Sequence, residues 1–382
     1  TSKQLRVCYL TDIFESNFLR DRPMLTYLLA KNGYDVLAVS STYLNGKLLK
    51  KSLFQKWDKT VYPARVVRAN TIKIQRVYSP PVILFFPFII FFKKFNIIHV
   101  HGIGTFASFL GMLTRLLFHK VKLVMNADMN ESTFLHITKT TLYKFIMMLP
   151  FKVADAVVVY TSREKDYLIK IGINKTKIHQ IPMSIRFEEL SKISNRLGSD
   201  EIVLGFLGKM QQVKGVHRLV EPLSRLINKY PNKVKVIFAG PSEDSHYSSS
   251  IIPHLTKFPN FKYLGSLPLE SVDEFYKLCN IVFVPSLSET CPAVPLEAMA
   301  AGKCVIASNI PPIDKFIEHE KSGILIDNDE QFYEYTELLL NNPNLIVKIG
   351  NEARKKVAHH SQKDVISMYE RLYDFLQGSN GT

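Results

Sequence analysis

Short, mainly apolar runs recur along the chain, separated by longer stretches whose apolar positions fall three and four residues apart. LRVCYL at residues 5–10, DVLAVS, NIIHVHG, KLVMNA, AVVVY and KIHQIP are runs of the first kind. They read as strands covered on both faces, since a strand buried on two sides needs no polar alternation. Between them PMLTYLLAKNG, stopped by Gly33, TFASFLGMLTRLLF, and SREKDYLIKIG with Ser162 as its N-cap read as helices. The opening is therefore βαβ.

After the polar stretch SKISNRLGSDE the alternation starts again. IVLGFLG, VKVIFAG, IVFVP, KCVIAS and GILI read as strands, with helices over 216–229, from about Glu270 to Leu278, and over 295–301. The pattern predicts an α/β protein of two doubly wound domains, 1–185 and 186–361. The last segment, 362–378, reads as an amphipathic helix carrying Val365, Met368, Tyr369, Leu372 and Phe375 on one face, and it is expected to complete the first domain. Open parallel sheets bind ligands beyond the carboxyl ends of their strands, so the chemistry is sought in the loops there.

Composition agrees with two domains: 382 residues, 46% of them hydrophobic, exceed what one compact core usually holds. Four cysteines without CxxC pairing suggest neither a disulfide framework nor a zinc site, and a reducing, cytoplasmic setting is expected. Charge changes the picture more. The net charge of +15 sits wholly in the first half, where residues 1–190 hold 28 Lys+Arg against 12 Asp+Glu; residues 191–382 hold 21 against 22. From Lys47 to Lys94 there are eleven basic residues and one acid, Asp58, around the apolar SPPVILFFPFIIFFKK. Its core, Val82 to Phe92, is too short to span a bilayer but suits peripheral contact with an anionic membrane surface. The competing reading is a buried helix. Nucleic acid is not expected, because no recognition motif accompanies the charge.

Candidate chemistry gathers in the second half. In PSLSETCPAVPLEAMAAG, Pro295 must lie in the first helical turn, so the helix starts near residues 291–294 and presents N–H groups and a partial positive charge to an anion. Cys291, Ala293 and Val294 open that turn, and Glu289 and Glu297 flank it. Carboxylates accept sugar hydroxyls readily. LGKMQQVKGV places Lys209 and Lys214 around a strand-to-helix turn closed by Gly215, where two cations can clamp a diphosphate. The only Asp-x-Asp, DND at 327–329, reads as a helix cap, and no metal site is expected.

These residues resemble glycosyltransferase family 4, which has the GT-B fold of two facing Rossmann-like domains with a catalytic cleft between them. GKMQQVKGV is similar to the family's Gly-Arg-Leu…Lys-Gly turn. PSLSETCPAVPLEAMAAGKCVIAS is similar to its Glu-x7-Glu signature, with Glu289 and Glu297 at the two signature positions. The resemblance extends over roughly residues 5 to 375. It implies that Lys209 and Lys214 neutralise the donor diphosphate, that Glu297 holds the ribose and Glu289 the donor sugar, and that His101 of HVHG sits across the cleft near the sugar. The chain departs from the family pattern at four points. Lys209 replaces an arginine, Pro292 replaces a glycine, Pro182-Met183-Ser184 stands in place of Pro-Asn-Gly, and TDIFESNFLRDRPM replaces the first glycine-rich loop. There Asp12, Arg20 and Arg22 are expected to shape an acceptor pocket.

The expected function is that of a retaining, hexosyltransferase-type enzyme that moves a sugar from a nucleotide-sugar donor to a lipid-linked or membrane-presented glycan acceptor. No metal or cofactor is expected, and the enzyme is expected to be held peripherally at the cytoplasmic face of a membrane. A GT-B nucleotide-sugar epimerase and a catalytically silent binding subunit of a membrane glycosylation complex are the alternatives.

Overall fold

The computed structural model describes residues 5–378 apart from 13, 15–20, 45–46, 49, 70, 73–81, 84–93, 130, 196, 198–200, 243–244 and 290–291. The chain divides into two compact units, Thr1–Ser184 with Gln362–Thr382, and Ile185–Ser361.

The first unit is built on a seven-stranded sheet, parallel throughout. Across it run Ile178–Gln180, Ala156–Val159, Lys122–Asn126, Ile97–His101, Arg6–Thr11, Asp35–Ser40 and Arg65–Arg68. Successive side chains on a strand point to opposite faces, and here both faces are covered. Cys8, Leu10, Ile98, Val100, Leu123 and Met125 feed one core. Val7, Tyr9, Ile97, Val124, Ala156 and Val158 feed the other. This is why the strands carry no apolar–polar alternation.

Strand order reverses between Arg6–Thr11 and Ile97–His101, whose carboxyl ends are in register at Thr11 and His101. The second unit repeats the plan with six parallel strands: Phe261–Tyr263, Val234–Ala239, Ile202–Leu207, Ile281–Val284, Cys304–Ser308 and Ile324–Ile326. Its reversal lies between Ile202–Leu207 and Ile281–Val284. Such reversal points open the crevice in which doubly wound sheets hold ligands.

Helix Gln362–Gly378 returns to the first unit and closes one of its cores. Its buried face is Val365, Ile366, Tyr369, Leu372, Tyr373 and Leu376, whereas Phe375, expected on that face, is mostly exposed. The polar atoms of Tyr369 and Tyr373 decide this rotation. The Tyr373 hydroxyl lies 2.6 Å from His99 Nδ1, and the His99 Nε2 lies 2.7 Å from Asn126 Oδ1. Asn126 in turn donates to the hydroxyls of Tyr160 and Tyr369 at 3.2 and 3.4 Å. Buried polar groups need such partners, and no hydrophobic pattern encodes them.

Other boundaries also differ from expectation. Thr161, not Ser162, caps helix Ser162–Lys170, through a capping box in which Thr161 Oγ1 accepts from the Glu164 N–H and Glu164 accepts from the Thr161 N–H. The edge strand Arg65–Arg68 and the helix Thr141–Val153 complete the first unit without having shown in the apolar pattern. Arg68 is not part of an outward basic field, whereas Arg65 is exposed and pairs with Asp35 at 2.5 Å. Arg68 is buried, grips Asp58 with two nitrogens at 2.5 and 3.0 Å, and lies over the Phe54 ring. The segment Leu84 to Phe92, with the side chains of Val82 and Ile83, lies outside the described residues. Among the described residues no helix is long and apolar enough to cross a membrane.

Candidate functional site

Two groups of side chains occupy the carboxyl ends at the two reversal points. In the second unit, Lys209 follows strand Ile202–Leu207 directly after Gly208, half-buried. Lys214 ends the short turn Gln212–Lys214, after which Gly215 takes φ +67. A Cβ on Gly215 would stand 2.0 Å from the Pro285 carbonyl oxygen, so only glycine lets these two loops approach. Leu287 N–H donates to the Val213 carbonyl at 2.9 Å across the same junction. Arg218 fastens it from behind, donating to the Pro285 carbonyl at 2.9 Å, to Ser308 Oγ at 2.6 Å and to Asp329 at 2.5 Å.

The loops so joined bring Lys214 Nζ to 2.7 Å from Glu289 Oε1, an oxygen that also accepts from Ser286 Oγ at 2.7 Å. Beside them helix Ala293–Ala300 opens at Pro292, which offers no side-chain acceptor. Ala293 and Val294 contribute the first N–H groups and Pro295 none, so the opening of the helix keeps its positive end. Glu297 is 1% exposed and accepts from the Tyr276 hydroxyl at 3.1 Å. Cys291 lies outside the described residues.

The Asp-x-Asp segment is divided among several tasks. Asn328 Oδ1 accepts from the Gln331 N–H at the start of helix Glu330–Asn341, Asp327 accepts from Asn309, and Asp329 pairs with Arg218. The cap expected of this segment therefore comes from Asn328. Among the described residues no group of His, Cys, Asp or Glu could hold a metal ion.

In the first unit His101 is buried, with Tyr9 Oη 2.9 Å from Nδ1 and the Asp128 carboxylate against Nε2. Asp128, the more exposed partner, holds a left-handed φ of +49. Glu164 stands behind it. Burial, reinforced by the charge of Asp128, pushes its carboxyl up to about 8, against the N–H groups of Tyr160, Thr161 and Met129 that favour the ionised form. Asp12 is buried, and its Oδ1 accepts from the Ala107 N–H in the first turn of helix Phe106–Leu117. Arg20, and the side chain of Arg22 in helix Asp21–Lys31, lie outside the described residues.

Sequence reasoning found Lys214 and Glu289, which meet, but missed Ser286, Tyr276, Tyr9, Asp128 and Glu164. For Asp128 the usable signal was its place just after strand Lys122–Asn126. Recognising it required knowing that Asn126 is in register with His101.

Residues 187–356 match the family model described as "Glycosyl transferases group 1", and residues 24–189 match "Glycosyltransferase Family 4". A D-inositol 3-phosphate glycosyltransferase of Corynebacterium urealyticum is 26% identical over 182 residues, 46% of this chain and 43% of that protein. An alpha-monoglucosyldiacylglycerol synthase of Acholeplasma laidlawii is 23% identical over 216 residues, 56% of this chain and 54% of that protein. The chain spans about half the length of the curated relatives it matches. Among solved structures, a glycosyltransferase from Rickettsia africae superposes with a TM-score of 0.72 at 15% identity, covering 98% of both chains. Anabaena HepE, in complex with UDP and glucose, gives 0.70 at 15% identity over 98% of this chain and 100% of that one. Likeness at this level of identity shows the fold, which is GT-B.

Proposed function

Because the chain belongs to glycosyltransferase family 4, we propose that it is a retaining glycosyltransferase that moves a sugar from a nucleotide-sugar donor to a lipid-linked or membrane-presented acceptor. The observation that carries this reading is the Lys214–Glu289 pair, 2.7 Å apart at the reversal point of the second sheet and beside an uncapped helix start. A part-exposed ion pair is worth only ~0–1 kcal/mol, whereas each charge-assisted contact to a phosphate is worth about 1.5–3 kcal/mol. A diphosphate therefore takes Lys214 from Glu289, and the released carboxylate, still held by Ser286, accepts hydroxyls of the donor sugar. Lys209 adds a second cation. Glu297, braced by Tyr276, faces the ribose.

In the reaction the bond between the anomeric carbon and the diphosphate oxygen breaks while the acceptor oxygen bonds to that carbon. The acceptor proton leaves with the departing phosphate. Charge grows on that phosphate in the transition state, and cations fixed in place beforehand stabilise it without reorganisation. In this reading the lysines and the helix end supply that charge, so transfer is expected to persist in a chelator. The name of the relative that makes monoglucosyldiacylglycerol supports an acceptor presented at a membrane. Nucleotide release from a panel of nucleotide-sugars, with and without lipid acceptors in EDTA, tests the reading. Acceptor-dependent release supports it, sugar isomerisation without an acceptor would show an epimerase, and donor binding without turnover would show a silent subunit.

A further inference from the structure

Helices Phe106–Leu117 and Thr141–Val153 of the first unit pack against each other and turn apolar side chains outward. Leu142 is 70% exposed, Leu117 62% and Phe145 51%, and Leu113, Leu116 and Ile146 are exposed beside them. On the second helix Leu142, Phe145 and Ile146 fall at i, i+3 and i+4, so they share one face. A single exposed leucine is ordinary; a face of them on two neighbouring helices marks an interaction site.

Charge says what covers this face. Neither helix contains an acidic residue, and the chain holds none between Asp58 and Asp128. Arg115 is engaged by Asp155. Lys144 and Lys152 lie on the second helix, Lys139 just before it and Lys120 just after the first, and among the described residues no carboxylate pairs with any of the four. Lys152 Nζ lies 5.4 Å from the centre of the Phe145 ring, its stem along the apolar face and its charge at the edge. A pair of helices that exposes apolar side chains and carries lysines but no acid matches acyl chains below a layer of anionic headgroups. A protein partner would want acids to meet those lysines.

We propose that this two-helix face is where the first unit lies on an anionic bilayer. The proposal rests on the reading of a membrane-presented acceptor and gives that reading a surface. The test is sedimentation of the full chain with phosphatidylcholine vesicles, with and without phosphatidylglycerol, at low and high salt. Wild type is expected to sediment with the anionic vesicles only, less so in salt. Leu142→Ser with Phe145→Ser is expected to weaken this binding at least about tenfold. Lys139→Gln with Lys144→Gln, which leaves every apolar side chain in place, should weaken it several-fold. Unchanged circular dichroism and unchanged sugar transfer to a soluble acceptor would accompany both. Wild-type binding that neither pair of substitutions reduces would overturn this surface while sparing the membrane reading. Wild type that binds no vesicle yet transfers sugar to soluble acceptors would end both. Loss of self-association in the serine variant, with vesicle binding kept, would assign the face to a second copy of the chain.

Discussion

Lys214 Nζ and Glu289 Oε1 are 2.7 Å apart, so the cation and the carboxylate best placed for a donor neutralise each other in the protein alone. Lys214→Met is expected to lower transfer at least tenfold, the loss of a charge-assisted contact of about 1.5–3 kcal/mol. Stability should move by less than about 1 kcal/mol, because the pair is partly exposed. Kinetics and urea midpoints on the same preparation check this, and near wild-type turnover would remove Lys214 from the donor site.

Lys209 stands where the family carries arginine. An ammonium is a point charge and a guanidinium a fork, so Lys209→Arg should keep or tighten nucleotide-sugar affinity and Lys209→Glu should abolish it. Calorimetric titration decides, and unchanged affinity in the glutamate variant would put Lys209 outside the site.

Gly215 carries the junction between the loops that hold Lys214 and Glu289. Gly215→Ala forces a methyl group onto the Pro285 carbonyl and strains a backbone at φ +67, so a loss of about 2 kcal/mol or more is expected. Because the same junction aligns Lys214 with Glu289, donor affinity should fall as well. A variant as stable and as tight as wild type would show that the loops need no such contact.

His99 gives a pH dependence. Burial, opposed by the Asn126 hydrogen bond and aided by nearby His101, lowers its pKa from 6.5 to about 3. The unfolded chain takes up a proton near 6.5 and the folded protein does not, so this group's contribution to stability falls as pH drops from 6.5 towards 3. Glu164, pushed up to about 8, works in the opposite sense, losing stability as pH rises from 4.5. The difference between wild type and His99→Gln isolates the histidine. At pH 7 the variant should be less stable, and the gap should narrow by at most about 1.4 kcal/mol per pH unit between about 6 and 4. A gap constant across urea melts at pH 7, 6, 5 and 4 would mean that His99 takes up its proton as readily in the folded protein as in the unfolded chain.

The sequence by itself determined the strand-and-helix alternation, since buried parallel strands must be apolar throughout and helices must repeat their apolar positions at three and four. DVLAVS is the strand Asp35–Ser40, and 362–378 is a helix with those limits. Pro295 likewise located, near residues 291–294, a helix start that lies at Ala293. Only the tertiary structure decided which strands are neighbours, and with that which loops meet. The approach of residue 214 to residue 289 depends on a strand order that periodicity does not encode. So does the seat of His101 between Tyr9 and Asp128, which come from two different strand ends. Rotation about the last helix axis was decided in the same way. The apolar pattern put Phe375 on the inner face, but the structure buries Tyr373, whose hydroxyl partners a ring nitrogen of the buried His99.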